Sequence, residues 1–208
     1  MDKFLRTAQW NANGLQIHRE EIKLFLNQNF TDILLISETH FTTKNYFSIP
    51  RYKLYYTNHP DGTAHISTAI LIKETIEHYE LLKYEEDSIQ AMSIKVKGFP
   101  YEITITAIYC LPCHNLKKEH FETFFQTLGP KFIAGGDYNS KHTIWGSRLT
   151  TTKGRELSKV IQEKNYSFLS TGTPTYWPTD GNKIPDLIDF FVTNGISQNT
   201  QTYNQFMT

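Results

Sequence analysis

The chain has 208 residues, of which 39% are hydrophobic and 14% aromatic, and its 21 basic and 21 acidic side chains give a formal net charge of zero. This length and apolar content indicate one globular α/β domain over residues 1–208, with no bilayer-spanning run and no secretion signal after Met1, so synthesis in the cytosol and no membrane contact are expected. The neutral balance argues against electrostatic affinity for nucleic acid spread over the whole surface, and it leaves room for a local basic rim.

Apolar alternation and continuous apolar runs, separated by turn residues, predict ten strands and three helices. The strands are expected at residues 4–10, 33–37, 54–57, 69–72, 88–96, 103–109, 132–134, 168–169, 175–177 and 188–192. The helices are expected at residues 19–27, 117–128 and 152–164. Mostly hairpin-linked strands with few helices suggest two facing sheets, although periodicity alone supports only a mixed α/β domain.

Polar residues stand at the ends of three predicted strands in the first half of the chain. Asn11 and Asn13 follow the first strand in an Asn-x-Asn-Gly segment. Glu38 follows the second strand, and Tyr109 ends the sixth strand before Pro112 breaks the ladder. Taken one at a time, these residues are equally typical of capping asparagines, a solvated carboxylate and a packing aromatic ring.

The seventh predicted strand leads into Gly135-Gly136-Asp137-Tyr138-Asn139. Glycine tolerates positive φ and asparagine caps the next segment, so the run also fits an ordinary tight turn. The alternative is that a carboxylate and a carboxamide are presented at the carboxyl end of a sheet, where binding and catalytic residues concentrate. The agreement of four strand ends favours this second interpretation.

The order Asn, Glu, Tyr and Asp-x-Asn at strand ends resembles the endonuclease–exonuclease–phosphatase superfamily. It is most similar to the amino-terminal endonuclease domain of non-LTR (LINE-type) retrotransposons of the Jockey-like group, with Tyr138 in place of the family's Phe. The resemblance covers almost the whole chain and includes residues 141–148, 153–155, 173–177 and 185–190. In the last segment Asp189 falls on the functional position because an apolar run follows it directly, and Asp186 is interpreted as a loop residue.

The resemblance implies a DNase I-like, four-layer α/β sandwich, in which two mostly antiparallel facing sheets are flanked by helices. It also implies a metal-dependent phosphodiester hydrolase that uses Mg²⁺, with Mn²⁺ as a substitute. Glu38 is expected to hold the metal with help from the neutral oxygen of Asn11, since hard oxygen ligands suit Mg²⁺. Asp137 is expected to orient and deprotonate the attacking water, and Asn139 to fix its geometry or contact the phosphate.

Two further catalytic positions follow from the resemblance. Tyr109 would donate to the reacting oxygens or help to activate them as a phenolate. Asp189 would orient a histidine or help to hold the metal. The family ends on a Ser-Asp-His triplet that is thought to contact the scissile phosphate, and this chain stops at Thr208, about where that triplet should begin. The chain is therefore expected to be truncated before its last strand.

Double-stranded DNA is the expected partner, and a basic rim after Asp137 is the expected contact. The rim residues are Lys141, His142, Arg148, Lys153 and Arg155. The residues expected to bind DNA are Asn13, His142, Trp145, Arg148 and Thr175. Trp145 either stacks on or wedges beside a base, or folds back into the core.

The implied reaction is a nick in one DNA strand that leaves a 3′-hydroxyl as the primer for target-primed reverse transcription. The reverse transcriptase is expected in the same longer polyprotein, and the site of action in the nucleus. Three alternatives remain: a catalytically inactive nucleic-acid-binding remnant, an apurinic/apyrimidinic repair endonuclease, and, more weakly, a lipid phosphodiesterase. Cleavage of intact against abasic duplex separates the repair endonuclease from the main hypothesis, and the inactive remnant predicts DNA binding without metal-dependent turnover.

The two cysteines, Cys110 and Cys113, form a Cys-x-x-Cys with no second pair to complete a zinc tetrahedron. Their position after a strand and around Pro112 does not match a thioredoxin-like context. Two reduced, incidental thiols are expected.

Overall fold

Two β-sheets and three α-helices make up the part of the chain that the computed structural model describes, residues 5–42, 47–57, 67–98, 101–180 and 182–196. The strands are β1 (Thr7–Asn11), β2 (Ile33–Ser37), β3 (Tyr52–Tyr56), β4 (Thr68–Lys73), β5 (His78–Glu80), β6 (Tyr84–Glu86), β7 (Ile89–Val96), β8 (Ile103–Cys110), β9 (Phe132–Asp137), β10 (Ser167–Leu169) and β11 (Asp189–Asn194). The helices are α1 (Arg19–Gln28), α2 (Lys118–Thr127) and α3 (Thr152–Glu163). Within these ranges no helix combines the length and apolar character needed to cross a bilayer.

Each sheet contains one parallel pair, and its other pairs are antiparallel. The small sheet has the order β1-β2-β4-β3, with β1 and β2 parallel. The large sheet has the order β10-β11-β9-β8-β7-β5, with β6 also paired to β7 and with β8 and β9 parallel. Because parallel neighbours end at the same edge, the carboxyl ends of β1 and β2 lie together, and so do those of β8 and β9.

Three apolar clusters separate four layers. Ile22, Phe25 and Leu26 on one face of α1 pack against the outer face of the small sheet. Alternate residues of both sheets, among them Leu35 and Ile105, fill the space between the sheets. The phenylalanines of α2 and the apolar face of α3 cover the outer face of the large sheet. The predicted four-layer sandwich with two mostly antiparallel facing sheets is therefore confirmed.

The observed elements differ from the predicted ones where the local pattern is weak. Strands β5 and β6 were not predicted because their residues are few, polar and mostly exposed. The predicted strand 175–177 is reduced to a single bridge between Tyr176 and Asp186. Prolines at 174, 178 and 185 flank that bridge, and a residue without an N–H cannot extend a ladder. The predicted start of the first strand at Phe4 lies outside the described residues.

The glycine pair before Asp137 belongs to β9 and lets the sheets and strands approach closely. A Cβ on Gly135 would lie 2.5 Å from the ring of Phe191 and 2.9 Å from Oε1 of Gln9. A Cβ on Gly136, whose φ is +149°, would lie 2.0 Å from the carbonyl oxygen of Ile108. The turn that the glycines were also compatible with comes later, at Asn139 with φ +46°. The glycines therefore set the position of the Asp137 carboxylate rather than reverse the chain.

Gly136→Ala is expected to lower the free energy of unfolding by about 2–4 kcal/mol, because the added methyl must displace the backbone of the neighbouring strand. Urea unfolding followed by tryptophan fluorescence measures the change. Gly129→Ala is the matched control, since Gly129 also has positive φ (+77°) but a Cβ there would meet nothing within 4 Å. Equal losses in the two variants would mean that backbone conformation, and not the close approach to Ile108, explains the glycine.

Candidate active site

Five polar side chains from both sheets meet at one edge of the sandwich. Asn11 ends β1, Glu38 follows β2, Tyr109 lies near the end of β8 and Asp137 ends β9. Asp189 begins β11 and stands directly opposite Asp137 in the antiparallel register of β11 and β9. The two parallel pairs and this register bring together residues that are far apart in the chain. All five were predicted as catalytic or metal-binding residues from the sequence.

Asn11 joins the two sheets at this edge. Its amide nitrogen donates to Oε1 of Glu38 at 3.0 Å and to Oδ2 of Asp137 at 3.2 Å. Its oxygen accepts from the backbone N–H of Asn13 at 3.2 Å, which fixes the orientation of the amide. The nitrogen, rather than the oxygen expected to hold a metal, therefore faces the carboxylates. A metal-binding role of Asn11 stays a prediction, and its observed contacts orient two carboxylates.

Glu38 is held by an unusual backbone segment. Glu38 and His40 both have φ of +54°, a conformation that side chains with a Cβ rarely adopt. Between them, the buried Thr39 hydrogen bonds to the Ser67 hydroxyl, and the backbone of Glu38 accepts from the N–H of Gly14 at 2.8 Å. Such strain persists only where surrounding contacts enforce it, and it is concentrated at functional sites. The imidazole Nε2 of His40 lies 4.0 Å from Oε2 of Glu38.

Asp137 and Asn139 form a compact turn at the end of β9. The backbone N–H of Asn139 donates to Oδ1 of Asp137 at 2.7 Å. The Asn139 side chain donates to the carbonyl of Cys110 at 3.0 Å, which anchors this turn to the end of β8. Both oxygens of the Asp137 carboxylate therefore accept a hydrogen bond from the protein, and its orientation is fixed.

Asp189 is oriented by Thr175, which was expected to bind DNA. The Thr175 hydroxyl donates to Oδ2 of Asp189 at 2.7 Å and accepts from the backbone N–H groups of Ile188 and Asp189 at 3.0 Å each. A hydroxyl has one proton and two lone pairs, so its hydrogen-bonding capacity is filled within the protein. The DNA-binding role of Thr175 stays a prediction, and the observed contacts of its hydroxyl orient the Asp189 carboxylate.

Burial and mutual repulsion favour the protonated forms of Asp137, Asp189 and Tyr109. Burial, followed by the charge of Asp189, raises the pKa of Asp137 well above its ordinary value. Burial, opposed by the Thr175 hydrogen bond, raises the pKa of Asp189 to about 7. Burial and the nearby charges of Glu38 and Asp137 raise the pKa of the Tyr109 phenol. Charged carboxylates this close together are expected to be stabilised by a cation.

The donors suit a hard divalent cation, although they do not form a ready-made cage. Among the described residues, no group of three or more His, Cys, Asp or Glu side chains has the spacing of a preformed metal site. Glu38, Asp137 and Asp189 nevertheless offer only oxygen donors, and the charge of Glu38 contributes to the raised pKa of both aspartates. Mg²⁺ uses one or two carboxylates and retains several waters, so this sparse set fits it.

The predicted basic rim is only partly at the surface. Lys153 is 6% exposed, and its ammonium donates to the carbonyls of Leu111 and Pro112. Lys141 pairs with Asp186 at 3.0 Å. Arg148 is exposed, and the ring of His142 accepts from the backbone N–H of Ile144. Of the rim residues, Lys153 is therefore a buried structural cation, because the turn after β8 supplies it with carbonyl partners.

Trp145 lies in the core, so its expected stacking on a base is wrong. The side chain is 1% exposed and its ring stacks on Phe190 with centroids 4.7 Å apart. Its indole N–H donates to the carbonyl of Ser140 at 3.1 Å. The short 3-10 turn Thr143–Trp145 directs the ring inward against the large sheet. Of the two alternatives stated from the sequence, the structure selects the core one.

Trp145→Ala is expected to lower the free energy of unfolding by about 3–5 kcal/mol, because it empties a fully buried ring site. Trp145→Phe keeps most of the stack on Phe190 and loses the hydrogen bond to Ser140, so a loss of about 1–2 kcal/mol is expected. Chemical unfolding measures both. Loss of DNA binding by a Trp145→Phe protein of unchanged stability would contradict the core assignment.

Three residues of this region have environments that the sequence did not reveal. Trp177 and Tyr176 are 68% and 44% exposed beside the Thr175 contact to Asp189. Asp186, interpreted as a loop residue, is buried and hydrogen bonded. The aromatic pair in Thr-Tyr-Trp-Pro is a local sign of exposed rings, since neither ring belongs to a periodic apolar pattern. The Arg148 N–H that Asp186 binds lies 38 residues away in the chain, and no local pattern indicates it.

The two cysteines form no disulfide, and Cys110 is buried whereas Cys113 is exposed. Burial raises the pKa of the Cys110 thiol, so the thiol form is favoured. Asn13, also expected to bind DNA, is exposed in the turn after β1 with φ +40°.

Comparison with known sequences finds that the chain is similar to proteins of mobile elements. Residues 103–207 match the family model described as endonuclease-reverse transcriptase. The chain is 34% identical over 191 residues to the RNA-directed DNA polymerase from mobile element jockey of Drosophila melanogaster, and the match covers 92% of the chain and 21% of that protein. It is 30% identical over 207 residues to the probable RNA-directed DNA polymerase from transposon BS of the same species, covering 97% and 22%. The chain thus spans about a fifth of the length of these curated relatives.

Solved structures show the same fold. The endonuclease domain of TRAS1, a telomere-specific non-LTR retrotransposon, superposes with a TM-score of 0.74 at 22% identity, over 92% of this chain and 86% of that one. The catalytic domain of Xenopus laevis APE2 gives a TM-score of 0.65 at 16% identity, over 90% and 81%. At these identities the likeness establishes the DNase I-like fold, as the sequence predicted.

Proposed function

The chain belongs to the endonuclease-reverse transcriptase family, and from that premise we propose that it is the metal-dependent DNA endonuclease domain of a non-LTR retrotransposon polyprotein. It would hydrolyse one strand of double-stranded target DNA and leave a 3′-hydroxyl. A reverse transcriptase in the same polyprotein would extend that end, as the relatives' description as RNA-directed DNA polymerases suggests. Its substrate would then be nuclear DNA.

The observation that carries this proposal is the carboxylate cluster at the sheet edge. Glu38, Asp137 and Asp189 come from three strands of two sheets, and Asn11 joins two of them with hydrogen bonds of 3.0 and 3.2 Å. Burial and mutual charge raise the pKa of Asp137 and Asp189. A fold does not maintain unfavourable charge repulsion of this kind for stability, and such perturbed groups are concentrated at catalytic sites.

The metal would be held by Glu38, with Asp189 as the second carboxylate. When bound, Mg²⁺ supplies charge neutralisation at the phosphate oxygens in the transition state. Both carboxylates are oriented by protein donors, Glu38 by Asn11 and Asp189 by Thr175. Their orientation therefore does not depend on the cation.

Asp137 is the general base of the proposal. Its two oxygens are fixed by the N–H of Asn139 and the amide of Asn11. Because its pKa lies well above that of an ordinary carboxyl, Asp137 in its ionised form is a stronger proton acceptor from water than a solvated aspartate. The side-chain amide of Asn139 donates a hydrogen bond to the carbonyl of Cys110. The backbone N–H of Asn139 is therefore the group that fixes Asp137.

Tyr109 would act as a hydrogen-bond donor. Burial and the charges of Glu38 and Asp137 raise the pKa of its phenol, so the hydroxyl keeps its proton at neutral pH. Of the two roles considered from the sequence, donation to the reacting oxygens is therefore favoured over action as a phenolate.

Conversion of supercoiled plasmid to the nicked circle, in Mg²⁺ and in EDTA, tests the proposal. We expect nicking in Mg²⁺ alone, with ends that a DNA polymerase extends, which demonstrates the 3′-hydroxyl. The chain is assayed at its present length and extended through the family's Ser-Asp-His triplet. DNA binding without nicking by a folded, extended chain would favour a binding module instead. Preference for abasic over intact duplex would favour a repair endonuclease.

A further inference from the structure

Asp186 is a buried carboxylate that lies outside the catalytic cluster. Its side chain is 1% exposed, and its Oδ1 accepts from the backbone N–H groups of Arg148 at 2.9 Å and Leu187 at 3.0 Å. Its Oδ2 lies 3.0 Å from the ammonium of Lys141. Burial alone would raise the pKa of Asp186, but the N–H of Arg148 and the Lys141 ammonium outweigh it and lower the pKa.

The backbone of Asp186 joins the two arms of a surface hairpin, residues 173–187, of which 181 is not described. Its carbonyl accepts from the N–H groups of Thr175 at 3.0 Å and Tyr176 at 2.9 Å. Its own N–H donates to the carbonyl of Tyr176 at 3.1 Å. The carboxylate of the same residue reaches the loop 141–150, and a bond of 2.8 Å from the Ser147 hydroxyl to the Leu187 carbonyl adds a second link. Asp186 therefore connects the hairpin to the loop, and the hydrogen bond between Ser147 and Leu187 reinforces this connection.

Both connected segments expose groups that suit contact with DNA. The hairpin exposes Trp177 by 68%, Tyr176 by 44% and Ile184 by 57%. The loop exposes the Arg148 side chain and 43% of Leu149. Exposed aromatic rings stack on bases or insert between them, and arginine contacts phosphates and base edges. The surface thus combines positioning and sequence-reading groups.

This surface adjoins the catalytic cluster through short links. Thr175, at the start of the hairpin, bonds to Asp189 at 2.7 Å, and Lys141 is two residues from Asn139. A shift of the loop 141–150 relative to the hairpin would change how Arg148 and Trp177 together meet DNA. The carboxylates would stay in place, because Asn11 holds Glu38 and Asp137 while Thr175 and the strand register hold Asp189.

The ion pair joins the buried carboxylate of Asp186 to an ammonium whose side chain is 29% exposed. Desolvation of the carboxylate offsets much of the attraction, so the pair contributes little stability, whereas it tolerates few alternative arrangements. Asp186 adds three backbone hydrogen bonds through its main chain and two through its carboxylate, in a segment where prolines prevent a longer ladder. The residue therefore supplies the rigidity that regular strand pairing would otherwise supply.

We propose that Asp186 is a positioning residue for target-sequence selection, which holds the hairpin and the loop 141–150 as one surface at a fixed distance from the scissile phosphate. The inference rests on the proposed function and deepens it, since it names the device that sets where the nick falls. Asp186 does not touch substrate, and it acts through Trp177, Arg148 and their neighbours.

The experiment measures the nicking pattern and the nicking rate separately. Wild type, Asp186→Ala and Asp186→Asn are compared on a long duplex by sequencing the new 3′ ends, and on a saturating short duplex by rate. Asp186→Asn retains an oxygen for the N–H groups of Arg148 and Leu187 and loses the attraction to Lys141. Glu74→Gln is the control for charge, because it also neutralises a carboxylate, at an exposed position after β4 on the edge of the small sheet opposite to Glu38.

We expect Asp186→Ala to lower the ratio of nicking at preferred sites over average sites by about 10-fold, the range of one lost base-pair discrimination. The nicking rate at saturating DNA should stay within about 3-fold of wild type, because Asp186 does not touch substrate and the barrier of the chemical step should change little. Asp186→Asn should recover part of the preference, and Glu74→Gln should match wild type. A merely structural role would lower the melting temperature without changing the pattern.

An unchanged pattern in Asp186→Ala overturns the proposal, and so does a parallel loss of pattern and rate that Asp186→Asn does not recover. If Asp186→Ala does not fold, Asp186→Asn decides by the same criterion.

A second experiment separates the positioning role of Asp186 from the proposed endonuclease activity. It enriches the sequences that the protein binds from a random duplex pool in Ca²⁺. A wild type that enriches sequences but never nicks overturns the endonuclease alone, and the pool then tests Asp186. A wild type that does neither overturns both.

Discussion

Asp137→Asn is expected to lower the rate of Mg²⁺-dependent plasmid nicking by about 10²–10⁴-fold, the range attributed to a general base. The asparagine oxygen can still accept from the Asn139 N–H, so the turn at the end of β9 is retained. The lost groups are the proton acceptor, its negative charge and the oxygen that accepts from the Asn11 amide. Asp137→Ala is expected to lose at least as much activity, since it also removes the acceptor of the Asn139 N–H.

Single-turnover nicking at saturating DNA measures this change, with circular dichroism to verify folding. Glu74→Gln, which removes an exposed carboxylate at the opposite edge of the small sheet, serves as control and should nick like wild type. A folded Asp137→Asn protein with more than about a tenth of wild-type activity would remove Asp137 from the role of base. Glu38 and Asp189 would then be the remaining carboxylates with a fixed orientation.

Asp189→Asn is expected to stabilise the metal-free protein at pH 8 by about 2–4 kcal/mol, and to reduce nicking at the same time. The folded-state pKa of Asp189 is raised to about 7, against an ordinary value near 4. An asparagine fits the site, because its oxygen can accept from Thr175 while its amide donates towards Asp137. The variant removes the repulsion that the wild-type pair carries when both are ionised.

The sign of the pH dependence follows from proton binding. Between about pH 4 and pH 7 the folded protein keeps the Asp189 proton that the unfolded chain has released, so wild-type stability falls as pH rises through this range. The stability contributed by the raised pKa is complete below about pH 4 and is lost at about pH 7. The difference between variant and wild type should therefore be small at pH 4 to 5 and largest at pH 8.

Thermal melts in EDTA from pH 4 to pH 8 test this prediction, and a shift on the order of 5–10 °C is expected at pH 8 for a domain of this size. Addition of Mg²⁺ should raise the wild-type melting temperature more than that of the variant, since a cation stabilises ionised carboxylates. Parallel curves for the two proteins at every pH would show that Asp189 is not a raised-pKa group in the folded state.

The destabilising charges of Asp137 and Asp189 lie where the proposed chemistry needs them. The cluster is buried, anionic and oriented by Asn11, Asn139 and Thr175, so its unfavourable energy is balanced by contacts elsewhere in the fold. Natural active sites commonly reduce stability in this way, and substitutions that relieve the repulsion stabilise the protein while removing activity.

The sequence alone was sufficient for the features that depend on local pattern. Apolar runs such as β2 and β8 are long enough to identify their strands, and the helical spacing of apolar residues identified all three helices to within two residues. Four of the residues that meet at the sheet edge stand at the ends of predicted strands and Asp189 begins one, and their selection as site residues followed from the resemblance. Their catalytic and metal-binding roles stay predictions. The layer arrangement followed from the resemblance to a known family, since periodicity by itself indicated only mixed α/β.

Tertiary structure alone decided the partners and the environment of each side chain. Asn11 and Asp137 are 126 residues apart, and their contact exists because two sheets pack face to face across Gly135. The inward turn of Trp145 assigned to the core a residue expected to bind DNA, and the Thr175 hydroxyl has a partner, Asp189, that no local pattern indicates. Burial and charge proximity, which set the pKa of Asp189, are properties of three-dimensional packing, and no local sequence pattern records them.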